Sequence, residues 1–102
     1  MKTPEDLGYK LMDILGSENV YYQPPESVKL KYPCIIFTMD PTYTAKADNI
    51  SYIKFNRYHV KHIYKSRKNE LKDILLDSFM MISHDNRMIA DSMYNDDFTV
   101  YF

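Results

Sequence analysis

Apolar and polar residues recur with two different periods along this chain, and the switches between them mark its elements. Leu7, Leu11, Ile14 and Leu15 stand at i, i+4, i+7 and i+8, which places them on one face of a helix. Thr3, Pro4 and Asp6 predict where that helix starts: a hydroxyl cap, a proline at the first helical position, and a carboxylate that answers the capping donor. Gly16 predicts its stop, because glycine adopts the left-handed conformation after a last turn without cost from a Cβ. Val20-Tyr21-Tyr22 then reads as a short strand ended by Gln23-Pro24-Pro25, and residues 24–31 read as irregular loop. Tyr32-Pro33 reopens the chain in extended form. Cys34-Ile35-Ile36-Phe37 is a continuous apolar run, the pattern of a strand buried on both faces.

Pro41 to Asn49 is polar and longer than a hairpin needs. Residues 50–65 are the longest strand candidate. Within it Tyr58, Val60, His62 and Tyr64 share one face, and Arg57, His59, Lys61 and Lys65 share the other. Ile53 and Phe55 reverse that parity, which a bulge near Asn56 would explain, as would a strand end that projects beyond the core and packs on something else. Leu71, Ile74, Leu75, Phe79 and Ile82 predict a second helix from Asn69 to Ile82, capped by Asn69 or Ser66. Segments 87–94 and 98–102 read as a hairpin turning at Asn95-Asp96-Asp97. The predicted order is α-β-β-β-α-β-β. This is an α+β domain, with a small, mostly antiparallel sheet and both helices on one face.

A chain of 102 residues with 45% hydrophobic and 15% aromatic side chains is one globular domain over 1–102, with room for a single core. Ten of the aromatics are Tyr and none is Trp. Tyrosine suits wet interfaces, since the ring buries while the hydroxyl stays paired. The start, MKTPEDLGYK, has no apolar core of a signal peptide, and no stretch approaches the ~18 apolar residues of a membrane span. One cysteine, Cys34, excludes an internal disulfide and fits a reducing compartment.

Charge matters more by segment than in total. Residues 1–48 carry 5 basic and 7 acidic side chains, residues 49–72 carry 7 and 1, and residues 73–102 carry 1 and 6, summing to −1. The basic stripe of Arg57, His59, Lys61 and Lys65, extended by Arg67, Lys68 and Lys72, is the strongest polar signal. It reads as a solvated outer strand face, as a contact for an acidic protein surface, or as a nucleic-acid face. A pI of 6.3 weighs against the last, since nucleic-acid binders usually exceed about 9.

Candidates for chemistry are few. His59 and His62, three apart on a strand, point to opposite faces and cannot share a metal. His84 reads as a turn residue. Cys34 opens an apolar strand, which is a core position and not the cationic setting a reactive thiolate needs. Gly8 and Gly16 are the only glycines, too few for a phosphate-cradling loop. No catalytic residue, cofactor or metal site is expected, and the chain is not expected to be an enzyme.

Several segments together do resemble a known group: LGSENVYYQPPESVKLKYPCIIF, the polar loop with ADN, RYHVKHIY, ELKDILL and YNDDFTVYF. The pattern is similar to the small tail completion (tail-terminator or head–tail joining) proteins of siphophages and related prophages, from Leu7 to Phe102. The resemblance implies a tail-terminator-like fold and a virion structural role. A ring, commonly a hexamer, would sit between the tail tube protein and the head–tail connector at the neck, after assembly in the bacterial cytoplasm. DNA would pass through its channel without specific contact, and no membrane is involved. A small phage or host binding module that forms no ring is the alternative.

A ring uses heterologous contacts, one patch meeting a different patch on the next copy. The expected pair is the basic strand face, Arg57, Lys61 and Lys65, against exposed acids of the C-terminal hairpin, Asp91, Asp96 and Asp97. Tyr43, Lys46 and Asp48 of the polar loop complete the expected interface.

Overall fold

The computed structural model describes residues 3–41 and 55–102. Helix α1 spans Pro4–Leu15. The Thr3 hydroxyl accepts from the Asp6 amide at 3.2 Å, and the Asp6 carboxylate accepts from the Thr3 amide at 2.8 Å, so two otherwise orphaned donors are satisfied. The helix stops at Gly16, whose φ of 76° lies in the left-handed region. Strands follow at Val20–Tyr22 (β1), Cys34–Met39 (β2) and Arg57–Tyr64 (β3). A 3-10 turn covers Arg67–Asn69, then come α2 (Lys72–Ser78), β4 (Met81–Ala90) and β5 (Met93–Tyr101).

The five strands form one mixed sheet in the order β1-β2-β3-β5-β4. Only β1 with β2 is parallel; the other three neighbouring pairs are antiparallel. The class is therefore α+β, with a mostly antiparallel sheet. Ile35 and Phe37 of β2, Tyr58 and Val60 of β3, and Phe98 and Val100 of β5 line one face of it and are buried with Leu7 and Leu11 of α1 and Leu75 of α2. Both helices thus cover the same face. The register puts Ile36, Lys61, Asp97, Thr38, His59 and Thr99 on the opposite face, and among the described residues no helix packs there. For that reason β2 is not buried on both sides, and Ile36 stays partly exposed.

Three predicted boundaries are corrected. The second helix ends at Ser78, not Ile82. Phe79 is extended, and Ile82 pairs with Val100 inside β4. Pairing nine residues of β4 against β5 satisfies more backbone than one further helical turn would. At the other end, Ser66 caps the 3-10 turn by accepting from the Lys68 amide, and Asn69 closes that turn.

The hairpin turns at Asp91-Ser92, not at Asn95-Asp96-Asp97. Both turn residues have positive φ, 53° and 63°, as a two-residue turn matched to strand twist requires. Among the described residues a bulge lies in β4, between His84 and Asn86, while Asn56 exchanges two backbone hydrogen bonds with Phe102, and the parity change expected at Ile53 lies outside the described residues. His84 is consequently a strand residue. The polar loop beyond Pro41 and the start of the 50–65 strand candidate, to residue 54, lie outside the described residues.

Candidate functional site

Two features mark the molecule, a buried charge network at one end of the core and a sheet face that no helix covers among the described residues. The network centres on Asp96, which has 0% exposure. Arg87 donates to its two oxygens at 2.6 and 3.1 Å, the Tyr64 hydroxyl donates at 2.7 Å, and His84 Nε2 lies 3.3 Å away. Arg87 also bonds Glu70, which in turn accepts from Arg67 Nε at 3.2 Å. Burial pushes the Asp96 carboxyl toward the neutral form, but the hydrogen bonds from Arg87, Tyr64 and His84 together outweigh it and hold the pKa below its usual value. The Arg87 hydrogen bond likewise lowers Glu70. Burial, then the bond to Asp96, raises Tyr64.

His62 faces Asp96 across the sheet and stacks on Tyr64 at 4.5 Å between ring centres. Among the described residues neither ring nitrogen has a hydrogen-bond partner, and burial pushes its pKa down to about 4.

A His–Asp pair can serve as a general base, but in this one the carboxylate is fully buried and already engaged. Arg87 occupies the carboxylate, and Phe98 packs edge-on against His84 at 5.0 Å. Neither the concavity on the open face nor the groove beside α1 reaches it. The arrangement ties the 3-10 turn and β4 to the middle of the sheet, which is a structural task. Among the described residues no three His, Cys, Asp or Glu side chains are placed to hold a metal. Cys34 is buried, and burial raises its thiol to about 11.

The open face carries a concavity of about 440 Å³ over Ile36, Thr38, His59, Lys61, Asp85 and Asp97. Its charges are largely paired within the chain. Lys61 lies directly opposite Asp97, Nζ to Oδ1 3.8 Å. Asp85 accepts from Ser83 and Thr99. Arg57 donates to Asp40 at 2.6 Å. The sheet's outer strands are β1 and β4, and large apolar side chains stand exposed near both: Tyr9 and Tyr22 at one, Met80, Met81, Met88 and Ile89 at the other.

No protein-family model matches the chain, and neither a curated protein nor a solved structure matches it.

The expected interface set therefore divides. Lys61 and Asp97 are together, but within one chain, and Arg57 is engaged by Asp40. Lys65, one residue past β3, and Asp91, in the β4–β5 turn, are exposed. Asp96 is a correction: it points to the core face beside Arg87 and cannot meet a neighbour. Tyr43, Lys46 and Asp48 lie outside the described residues. Sequence reasoning missed Arg87, Tyr64 and His84 as partners of Asp96, and Glu70 as the second partner of Arg87. The signal was present, because Asp96 has the parity of Phe98, Val100 and Phe102, so a strand through it sends a carboxylate inward. A buried carboxylate needs a cation, and Arg87 is the only basic residue after position 72.

Proposed function

We propose that this chain is a virion structural protein that completes a phage tail and joins it to the head connector. In this reading it acts as a ring, a hexamer, at the tail–neck junction. The observation that carries the proposal is the one-sided fold. A single helical layer covers one face of a five-stranded sheet, while the other face is left uncovered among the described residues. Exposed tyrosine, methionine and isoleucine flank both outer strands. Such a surface suits protein contacts, because unpaired strand edges and exposed apolar side chains are liabilities unless something covers them. The sequence segments that resemble tail completion proteins supply the identity of those contacts. They are further copies of the chain, the tail tube protein and the connector, with DNA passing through the channel.

Electron microscopy of a lysate from phage lacking this protein tests the reading. Full heads beside unjoined tails of abnormal form are expected. Joined, infectious particles in its absence would overturn it. A protein that stays monomeric at every concentration and binds one partner would instead be a small binding module without a ring.

A further inference from the structure

The two outer strands differ in what they offer, and the difference is complementary. Beside β1, a groove of about 230 Å³ runs between helix and strand, lined by Gly8, Tyr9, Met12, Val20, Tyr22 and Phe37. Tyr9 and Tyr22 form its rim, 66% and 42% exposed. At the far side of the sheet, Ile89 near the end of β4 is 68% exposed. It pairs with Tyr94, which pairs with Tyr64, so it lies on the helix-covered face. Val20 and Tyr22 pair with Ile35 and Phe37 and lie on that same face.

We propose that Ile89 of one copy seats in the α1–β1 groove of the next copy, so that β4 continues the neighbour's sheet beyond β1. This rests on the ring reading above and specifies its subunit contact.

Three further observations fit that occupant. The first is direction. β4 is antiparallel to β5, β5 to β3 and β3 to β2, while β2 is parallel to β1. Across five strands β4 therefore runs opposite to β1, and a neighbour added in the same orientation meets it as an antiparallel pair. The second is charge. α1 and the residues after it present Glu5, Asp13 and Glu18 as exposed acids. On the segments beside Ile89, Lys65, Arg67 and Lys68 are exposed, Arg67 being shared with Glu70, and Asp91 is an exposed acid. Arg67 also lies over Tyr94, Ile89's cross-strand partner, at 6.0 Å from its centre. Opposite charge at the rim sets register and rejects wrong neighbours. The third is topology. Knob and groove lie at opposite edges of one sheet, so each copy can use both at once, as a heterologous ring contact requires.

The test uses the full chain carrying Tyr9→Cys and Ile89→Cys together, and each alone, treated with a short bismaleimide at assembling concentration. The native Cys34 is buried and out of reach. The double variant is expected to give a ladder of covalent multimers ending at the ring, and each single variant is expected to remain uncrosslinked. Ile89→Asp should raise the concentration for half-assembly roughly tenfold or more, the loss expected from removing one well-buried aliphatic contact, with monomer melting unchanged. Efficient dimers from Ile89→Cys alone would overturn the contact in favour of a two-fold β4–β4 pairing. Rings that form without a ladder in the double variant would overturn the contact and leave the ring reading standing. A strict monomer in sedimentation velocity at millimolar concentration and in the presence of tail tubes would overturn both.

Discussion

Arg87 of β4 and Asp96 of β5 face each other across the sheet, Nε on Oδ1 at 2.6 Å and Nη2 on Oδ2 at 3.1 Å. The pair is bidentate, and its carboxylate is fully buried. Two parallel charge-assisted bonds fix the relative position of the strands more tightly than one. Through Glu70 the same guanidinium also holds the segment between β3 and α2. One side chain thus ties β4 both to its hairpin partner β5 and to the segment before α2.

Removing that cation should therefore be severe. Arg87→Met leaves Asp96 buried without its charge partner, and breaking a buried pair this way costs about 3–5 kcal/mol. That approaches the whole stability of a small domain. Asp96→Asn keeps the volume and part of the hydrogen bonding and should cost less, about 1–3 kcal/mol. Urea unfolding of both variants checks the order, and an Arg87→Met protein as stable as the parent would remove the network's structural role.

Acid should destabilise the protein in two stages. His62 has a folded pKa of about 4, below its ordinary value of 6.5. The unfolded chain therefore takes up this proton first, and stability falls as pH drops from about 6.5 to about 4, by on the order of 3 kcal/mol. Asp96 and Glu70 have lowered folded values. Their contribution is full above the unfolded carboxylate pKa and is lost as pH falls through the folded one. His62→Phe keeps a ring against Tyr64 and should abolish the first stage alone. Urea midpoints measured from pH 7 to pH 3 resolve the two, and a His62→Phe profile parallel to the parent's would refute the assignment.

How much of this was legible in the chain depended on whether local or long-range physics decided each element. Helix α1 is local: Thr3, Asp6 and Gly16 act within a turn of the ends they set, and each stands where the sequence places it. The facing of Tyr58, Val60, His62 and Tyr64 is also local, being parity alone. The end of α2 is not. Phe79 and Ile82 continue a helical stripe, and only the presence of β5 as a pairing partner turns them into strand. The turn is similar, since Asn95-Asp96-Asp97 has better turn composition than Asp91-Ser92. What overrides it is Arg87 nine residues earlier, which makes an inward Asp96 tolerable. The uncovered face follows from the one-sided placement of both helices, which the sequence did indicate, while the internal pairing of its charges depends on register.

The stop of α1 gives a narrower expectation. Gly16 has a φ of 76°, and an added Cβ would meet nothing within 4 Å. Gly16→Ala should thus cost only the left-handed backbone strain, about 1 kcal/mol. Thermal unfolding should register that loss, and Gly16→Asn should recover part of it because Asn tolerates this conformation better. An Ala variant with unchanged melting would mean that the end of the helix relaxes freely.

The Lys61–Asp97 pair sets the last expectation, which weighs a pairing within the chain against the subunit contact first expected of these residues. If Lys61 served a neighbouring copy, Lys61→Glu would weaken assembly. In the fold, Lys61 lies across the ladder from Asp97 of its own chain, 3.8 Å away, with both side chains partly exposed. Reversing it puts like charges opposite each other in one sheet, a cost of about 0.5–1 kcal/mol after solvent screening. Lys61→Glu should therefore lower the melting temperature of the monomer slightly at low salt, with the effect fading at high salt. Asp97→Lys added to the same polypeptide should restore it. Ring yield should change little in either variant, because the contact inferred for assembly lies at Ile89 and the α1–β1 groove. The decisive comparison mixes Lys61→Glu chains with Asp97→Lys chains. Assembly lost in each variant alone and rescued only in the mixture would return these two residues to the subunit interface, whereas unchanged assembly, with melting restored only when both changes share one chain, confirms the pairing within the sheet.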